Sequence, residues 1–106
     1  MEYVTKAGTD VPKVGVGTWQ METDVAYESV STALDVGYRH VDTAQLYENE
    51  DGVGDAIADA DVDRSEIFLT TKVDPTNRTV DDIVQSARES VDRLGVEQVD
   101  LLLIHW

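Results

Sequence analysis

Four polar side chains of this 106-residue chain have types and placement suited to chemistry: Asp42, Tyr47, Lys72 and His105. Asp42, Lys72 and His105 fall at or near the C-terminal ends of three strand-like segments, 39–44 (RHVDTA), 67–73 (IFLTTKV) and 99–105 (VDLLLIH). Tyr47 follows the first of these in its loop. Ionisable groups in buried strands cost several kcal/mol unless they are paired, so their presence asks for a reason. Carbonyl reduction gives one. A hydride reaching a carbonyl carbon leaves negative charge growing on the oxygen, which must then be protonated. A tyrosine can donate that proton, and a neighbouring ammonium favours the phenolate left behind. Lys72 can supply the cation, Asp42 can hold it charged and oriented, and His105 can hydrogen-bond the carbonyl oxygen. Lys72 is one of three lysines; Lys6 and Lys13 lie near the N-terminus in polar surroundings. The structural alternative makes Lys72 a strand-end residue whose ammonium snorkels to water.

The elements that must position these residues alternate between two periodicities. A short apolar run with two glycines, 14–18 (VGVGT), precedes the three strands above, and the runs at 67–73 and 99–105 are nearly continuous, as in parallel strands buried on both faces. Between the strands lie three helical patterns. Residues 24–36 place Ala26, Val30, Ala33 and Leu34 on one face, with Gly37 as a stop. Residues 50–60 align Val53, Ile57 and Ala60, with Asn49 as N-cap. Residues 80–94 align Ile83, Ala87, Val91 and Leu94, open on Thr79 and Asp82 at capping-box spacing, and end at Gly95. Two extended stretches within 3–13 flank Ala7-Gly8-Thr9-Asp10 and predict a hairpin with no role in the site.

Strand starts at 39, 67 and 99 have the spacing of βαβ units. Gly15-Val16-Gly17 continues as Thr18-Trp19-Gln20, so the Gly-x-Gly-x-x-Gly dinucleotide fingerprint fails. The better parallel architecture is a (βα) barrel, in which the C-terminal ends of the strands converge on one face and bring distant residues together. Among the remaining polar residues, His40 reads as a satisfied strand histidine, and Glu48 and Glu50 as solvated, with Glu50 favourable at a helix N-terminus.

Composition narrows the partners. Hydrophobic residues make up 42% of the chain, enough for a packed core, and no apolar run approaches the ~20 residues of a spanning helix. Without cysteine there is no disulfide or thiolate chemistry, and with two histidines no His-rich metal cage. A net charge of -14, from 22 acidic and 8 basic residues, disfavours nucleic acid and anionic membrane. The acids are spread along the chain and read as a solvated surface, which suggests a protein of a salt-rich cytoplasm (a halophile) where such self-repulsion is screened.

The motifs that carry these residues resemble the aldo-keto reductase family. Gly37-Tyr38-Arg39-His40-Val41-Asp42-Thr43-Ala44, continued by Gln45-Leu46-Tyr47-Glu48-Asn49-Glu50 and Gly52-Val53-Gly54, looks like the family's first signature. Thr70-Thr71-Lys72 resembles its catalytic-lysine strand, Leu101 to Trp106 its catalytic-histidine strand, and Gly15 to Trp19 its first barrel strand. The pattern Tyr-x-Asn-Glu-x-Gly-Val-Gly is similar to prokaryotic diketogluconate-reductase-like members. The resemblance implies an α/β fold of the TIM (β/α)8-barrel type, of which these residues supply the first four strands and three helices. It implies NADPH or NADP+ as cofactor, no metal, and a small-molecule carbonyl substrate. Asp42, Tyr47, Lys72 and His105 are its implied catalytic set. Gly17, Thr18 and Asp42 would lie near the nicotinamide, and Trp19 and Trp106 would line the substrate pocket, with ordinary barrel core as the alternative for Trp19. The full-length form is expected to be monomeric, while four strands alone expose two sheet edges that invite self-association. A truncated, non-catalytic half-barrel or assembly module is the alternative to the enzyme.

Overall fold

The computed structural model describes residues 1–106. Strands β1 (Tyr3–Lys6) and β2 (Thr9–Pro12) form an antiparallel hairpin. Its connection is the two-residue pair Ala7-Gly8, with φ of 50° and 78°, the positive values that a tight hairpin turn demands. The rest of the chain runs β3 (Gly15–Gly17), α1 (Thr23–Asp35), β4 (His40–Asp42), α2 (Glu50–Asp59), β5 (Phe68–Val73), α3 (Val80–Leu94) and β6 (Leu101–Ile104). Short 3-10 turns lie at Gln45–Tyr47 and Arg64–Glu66. The four strands β3-β4-β5-β6 pair in that order, all parallel. This is the barrel-type α/β class expected, present as four strands and three helices, with β3 and β6 as edges. No helix is long and apolar enough to cross a membrane.

Strand register decides which residues share a face. Gly17, Asp42, Thr70 and Leu101 are aligned across the sheet, as are Lys72 and Leu103. Alternate residues of a strand point to opposite sides. Val41 and Leu69 therefore face the helices, where they join Ala26, Val30, Leu34, Val53, Ile57, Ile67 and Leu94 in the core. Asp42, Thr70 and Lys72 face the other side.

Helix ends follow the sequence closely. All four residues of the α1 stripe are buried. Gly37 and Gly95 carry φ of 108° and 66°, the left-handed conformation that stops a helix. At α3, Thr79 Oγ1 accepts from the Asp82 amide at 3.1 Å, but no return bond from the Asp82 side chain forms, so the capping box is half made.

Two expectations of burial need correction. Leu101, Leu102, Leu103 and Ile104 are all exposed, because β6 is an edge strand with no helix packed over it. Along α3, Ile83, Ala87 and Val91 are only half-buried, and the fully enclosed positions are Leu94 and the polar Ser90.

Candidate active site

Lys72 is the centre of the predicted group. Its ammonium donates to Asp42 Oδ1, to the Thr43 carbonyl at 3.0 Å and to the Tyr47 hydroxyl at 3.4 Å, which uses its three donors. The nitrogen lies nearer the phenol oxygen than the ring centroid, which is 5.1 Å away, so the contact is a hydrogen bond rather than a cation over a π face. Lys72 is mostly buried, with its side chain 14% exposed, and the snorkelling alternative does not describe it.

The local fold explains this meeting. Asp42 ends β4, and the chain then turns through Gln45–Tyr47. Glu48 takes a left-handed φ of 57° and turns the backbone into α2, which leaves Tyr47 beside the end of β5. His105 follows β6, and its amide donates to the Val73 carbonyl at 3.0 Å. Its ring stands edge-on to Tyr47, with centroids 5.7 Å apart. Three strand ends thus bring all four predicted residues together. His105 Nδ1 is buried without a hydrogen-bond partner.

Of the accessory residues, Trp106 stacks flat on His105 at 3.9 Å and is itself 85% exposed. Trp19, in the loop after β3, is 67% exposed among these four strands. Gly17 faces open space, with nothing within 4 Å of where a Cβ would stand. Thr18 is fully buried, and its hydroxyl is committed to Thr43 Oγ1 at 2.9 Å. Its amide donates to the Asp42 carbonyl at 3.1 Å and its carbonyl accepts from the Met21 amide and Asn49 Nδ2, so Thr18 braces the end of β3 from within. Asp74, just beyond β5, has its carboxyl held below the usual range by the Thr76 amide and hydroxyl that it accepts, with His105 acting in the same direction.

Two neighbours of Tyr47 differ from their sequence expectation. Asn49 stands at the N-cap position but makes no side-chain cap. Its amide is buried and donates to the carbonyls of Thr18 at 2.8 Å and Met21 at 3.0 Å, while Thr43 donates to its Oδ1. Glu50 is not solvated; it is 2% exposed. Thr71 Oγ1 donates to Oε2 at 2.6 Å, and Ser90 Oγ and Arg93 Nε and Nη2 donate to Oε1. Because a carboxylate needs such partners to be buried, the polar Ser90 on the α3 stripe, with Arg93 one turn on, was the available signal. His40 is the satisfied histidine expected. Nδ1 faces the Pro12 carbonyl and must donate, so Nε2 accepts from Thr70 Oγ1 at 3.1 Å.

Residues 13–106 match the sequence pattern of the Aldo/keto reductase family. Methylglyoxal reductase DkgB of Salmonella typhi is 48% identical over 96 residues, which is 91% of this chain and 36% of that protein. Glycerol 2-dehydrogenase (NADP(+)) of Saccharomyces cerevisiae is 48% identical over 99 residues, 93% of this chain and 31% of the relative. The crystal structure of an aldo/keto reductase from Brucella melitensis superimposes with a TM-score of 0.96 at 42% identity, covering 99% of this chain and 41% of that one. The chain spans about a third of the length of the curated relatives it matches.

Proposed function

Since the chain belongs to the aldo/keto reductase family, we propose that it forms part of an NADP(H)-dependent oxidoreductase that reduces aldehydes or ketones to alcohols, with Tyr47 as proton donor. The observation that carries this reading is the contact set of Lys72, which joins Asp42 and the Tyr47 hydroxyl on one face of the sheet.

Each side chain has a separate task in this reading. Tyr47 gives its hydroxyl proton to the carbonyl oxygen. The Lys72 ammonium stabilises the phenolate that remains, and Asp42 holds that ammonium in place. His105 aligns the carbonyl oxygen, and Trp106, stacked on it, screens the imidazole from water on one side. Trp19 and Trp106, both exposed at this end, would bound the substrate.

The residues present fit the reacting end of a nicotinamide. The Lys72–Asp42 pair neutralises itself, so no unpaired charge opposes a flat aromatic ring, and Gly17 leaves open space at the end of β3. Gly17 and Asp42 would hold that ring, with the buried Thr18 supporting the end of β3 beside it. When bound, the reduced cofactor supplies the hydride. For its phosphates the chain offers less. Arg39, Arg64, Lys72 and Arg93 are committed to internal partners. Arg78, in the loop after β5, is the uncommitted cation at this end of the sheet.

That accounting, with the exposure of β6, also favours a second reading: a half-barrel that works only when assembled with another polypeptide segment. The test is NADPH oxidation with methylglyoxal as the probe aldehyde, alongside quenching of Trp fluorescence by NADPH. The enzyme reading expects turnover that Tyr47→Phe abolishes with the circular dichroism spectrum unchanged. Full activity in Tyr47→Phe refutes the mechanism. No turnover and no quenching from a homogeneous 11.7 kDa species leaves the assembly reading.

A further inference from the structure

We propose that Glu50 is a positioning residue for Tyr47 and for the loop after β5, acting through a hydrogen-bond chain whose direction its carboxylate fixes. The catalytic meaning of this inference rests on the reading of Tyr47 as proton donor. The chain runs across three elements. Ser90 Oγ donates to Glu50 Oε1 at 3.2 Å. Gln45 Nε2 donates to Ser90 Oγ at 3.1 Å, and the Asp74 amide donates to Gln45 Oε1 at 2.8 Å. Gln45 opens the 3-10 turn that ends in Tyr47, and Asp74 opens the loop after β5.

A carboxylate can only accept. Ser90 must therefore spend its one proton on Glu50, which leaves its oxygen to accept from the Gln45 amide nitrogen. That choice turns Gln45 Oε1 toward the Asp74 amide, which as a donor needs it there, so both ends of Gln45 agree on one orientation. Arg93 holds the charge in place with two bonds to the same Oε1 and a third contact to Ser90 Oγ at 3.3 Å. Thr71 Oγ1 fills the other oxygen, Oε2, at 2.6 Å. An uncharged amide at position 50 could present its NH2 group to Ser90. The hydroxyl proton would then compete with Gln45 Nε2, so Gln45 could not satisfy both Ser90 and the Asp74 amide in either orientation, and the tie of the Tyr47 turn to β5 would weaken.

The experiment compares the whole chain with Glu50→Gln and Ser90→Ala by NMR, without cofactor or substrate. It reads the Tyr47 ring signals, identified with Tyr47→Phe, and amide hydrogen exchange at Asp74, Val41 and Leu69. Ser90→Ala cuts the chain one link further on and leaves the Glu50–Arg93 pair intact, so it serves if Glu50→Gln fails to fold. The expected result is a shifted Tyr47 signal and exchange at Asp74 faster by about tenfold or more, with Val41 and Leu69 protected as before. Unchanged Tyr47 and Asp74 signals in a folded variant overturn the proposal. So does a uniform rise in exchange that includes Val41 and Leu69 in both variants, since that marks a purely structural role. Turnover retained by Tyr47→Phe would remove the acid role of Tyr47 and leave these readouts standing.

Discussion

Replacing Arg93 by Met should destabilise the fold strongly for a single surface-reaching side chain. Met keeps much of the apolar stem, so the change isolates the guanidinium. What remains is Glu50, 2% exposed, with only the Thr71 and Ser90 hydroxyls as donors. Removing one partner of a fully buried ion pair costs about 3–5 kcal/mol, most of it from the stranded charge. Arg93 is 45% exposed, so water reaches its side of the pair and part of the loss is made good. Discounting by about half for that exposure gives about 1.5–2.5 kcal/mol. With a urea m-value of about 1.5 kcal/mol per molar, the midpoint falls by roughly 1–1.7 M. Glu50→Gln combined with Arg93→Met removes the stranded charge and should recover at least about 1 kcal/mol relative to Arg93→Met alone. Urea unfolding followed by far-UV circular dichroism measures all four corners of the cycle. A midpoint shift below about 0.3 M in Arg93→Met, or a double variant no more stable than that single one, would refute the stranded-charge account.

Other expectations concern packing and charge. A Cβ at Gly54 would collide with the backbone of Leu94, at the contact of α2 with the end of α3. Gly54→Ala should therefore lose about 1–3 kcal/mol in the same assay despite its better helix propensity, and a gain in stability would deny that contact. Asp74 has a folded pKa below its usual 3.8, chiefly through the Thr76 amide, so its contribution is complete above the unfolded value and is lost as pH falls through the folded one. The stability difference between wild type and Asp74→Asn should then be flat at neutral pH and shrink only in acid; a difference that instead grows in acid would contradict this. With a net charge of -14, the midpoint for thermal unfolding should rise from low to molar KCl, as the screening length falls from about 10 Å at 0.1 M to about 3 Å. No rise would count against the salt-rich origin suggested by the composition.

Local patterns were legible wherever one element decides its own outcome. The α1 stripe is buried as its 3.6-residue period requires, and Gly37 and Gly95 stop their helices through positive φ. The hairpin appears where Ala7-Gly8 allows a tight turn. What failed depends on elements distant in sequence. The apolar run of β6 reads as doubly buried, yet burial needs a neighbour on its outer edge and a helix above, and neither lies within residues 1–106. Asn49 was placed correctly as a position and wrongly as a side chain. The carbonyls of Thr18 and Met21, about thirty residues earlier, need donors more than the first turn of α2 needs an acceptor.

The site and the core are two consequences of one register, which is why the catalytic candidates could be read and their support could not. On β5 the residues alternate: Leu69, Thr71 and Val73 face the helices, while Thr70 and Lys72 face the other side. A slip by one residue would turn Lys72 into the helix layer and Thr71 away from Glu50, so burial of Leu69 and Val73 fixes where the ammonium points. A lone lysine in an apolar strand announces that constraint, because only a paired cation survives there. A glutamate at a helix N-terminus announces nothing, because the macrodipole gives it a sufficient reason to be there in water. Its partners at Ser90 and Arg93 lie 40 and 43 residues away on α3. Adjacent residues of one strand, Thr71 and Lys72, therefore tie together two polar networks on opposite faces of the sheet: one holds the ammonium beside Tyr47, and the other anchors the turn that carries Tyr47 to it.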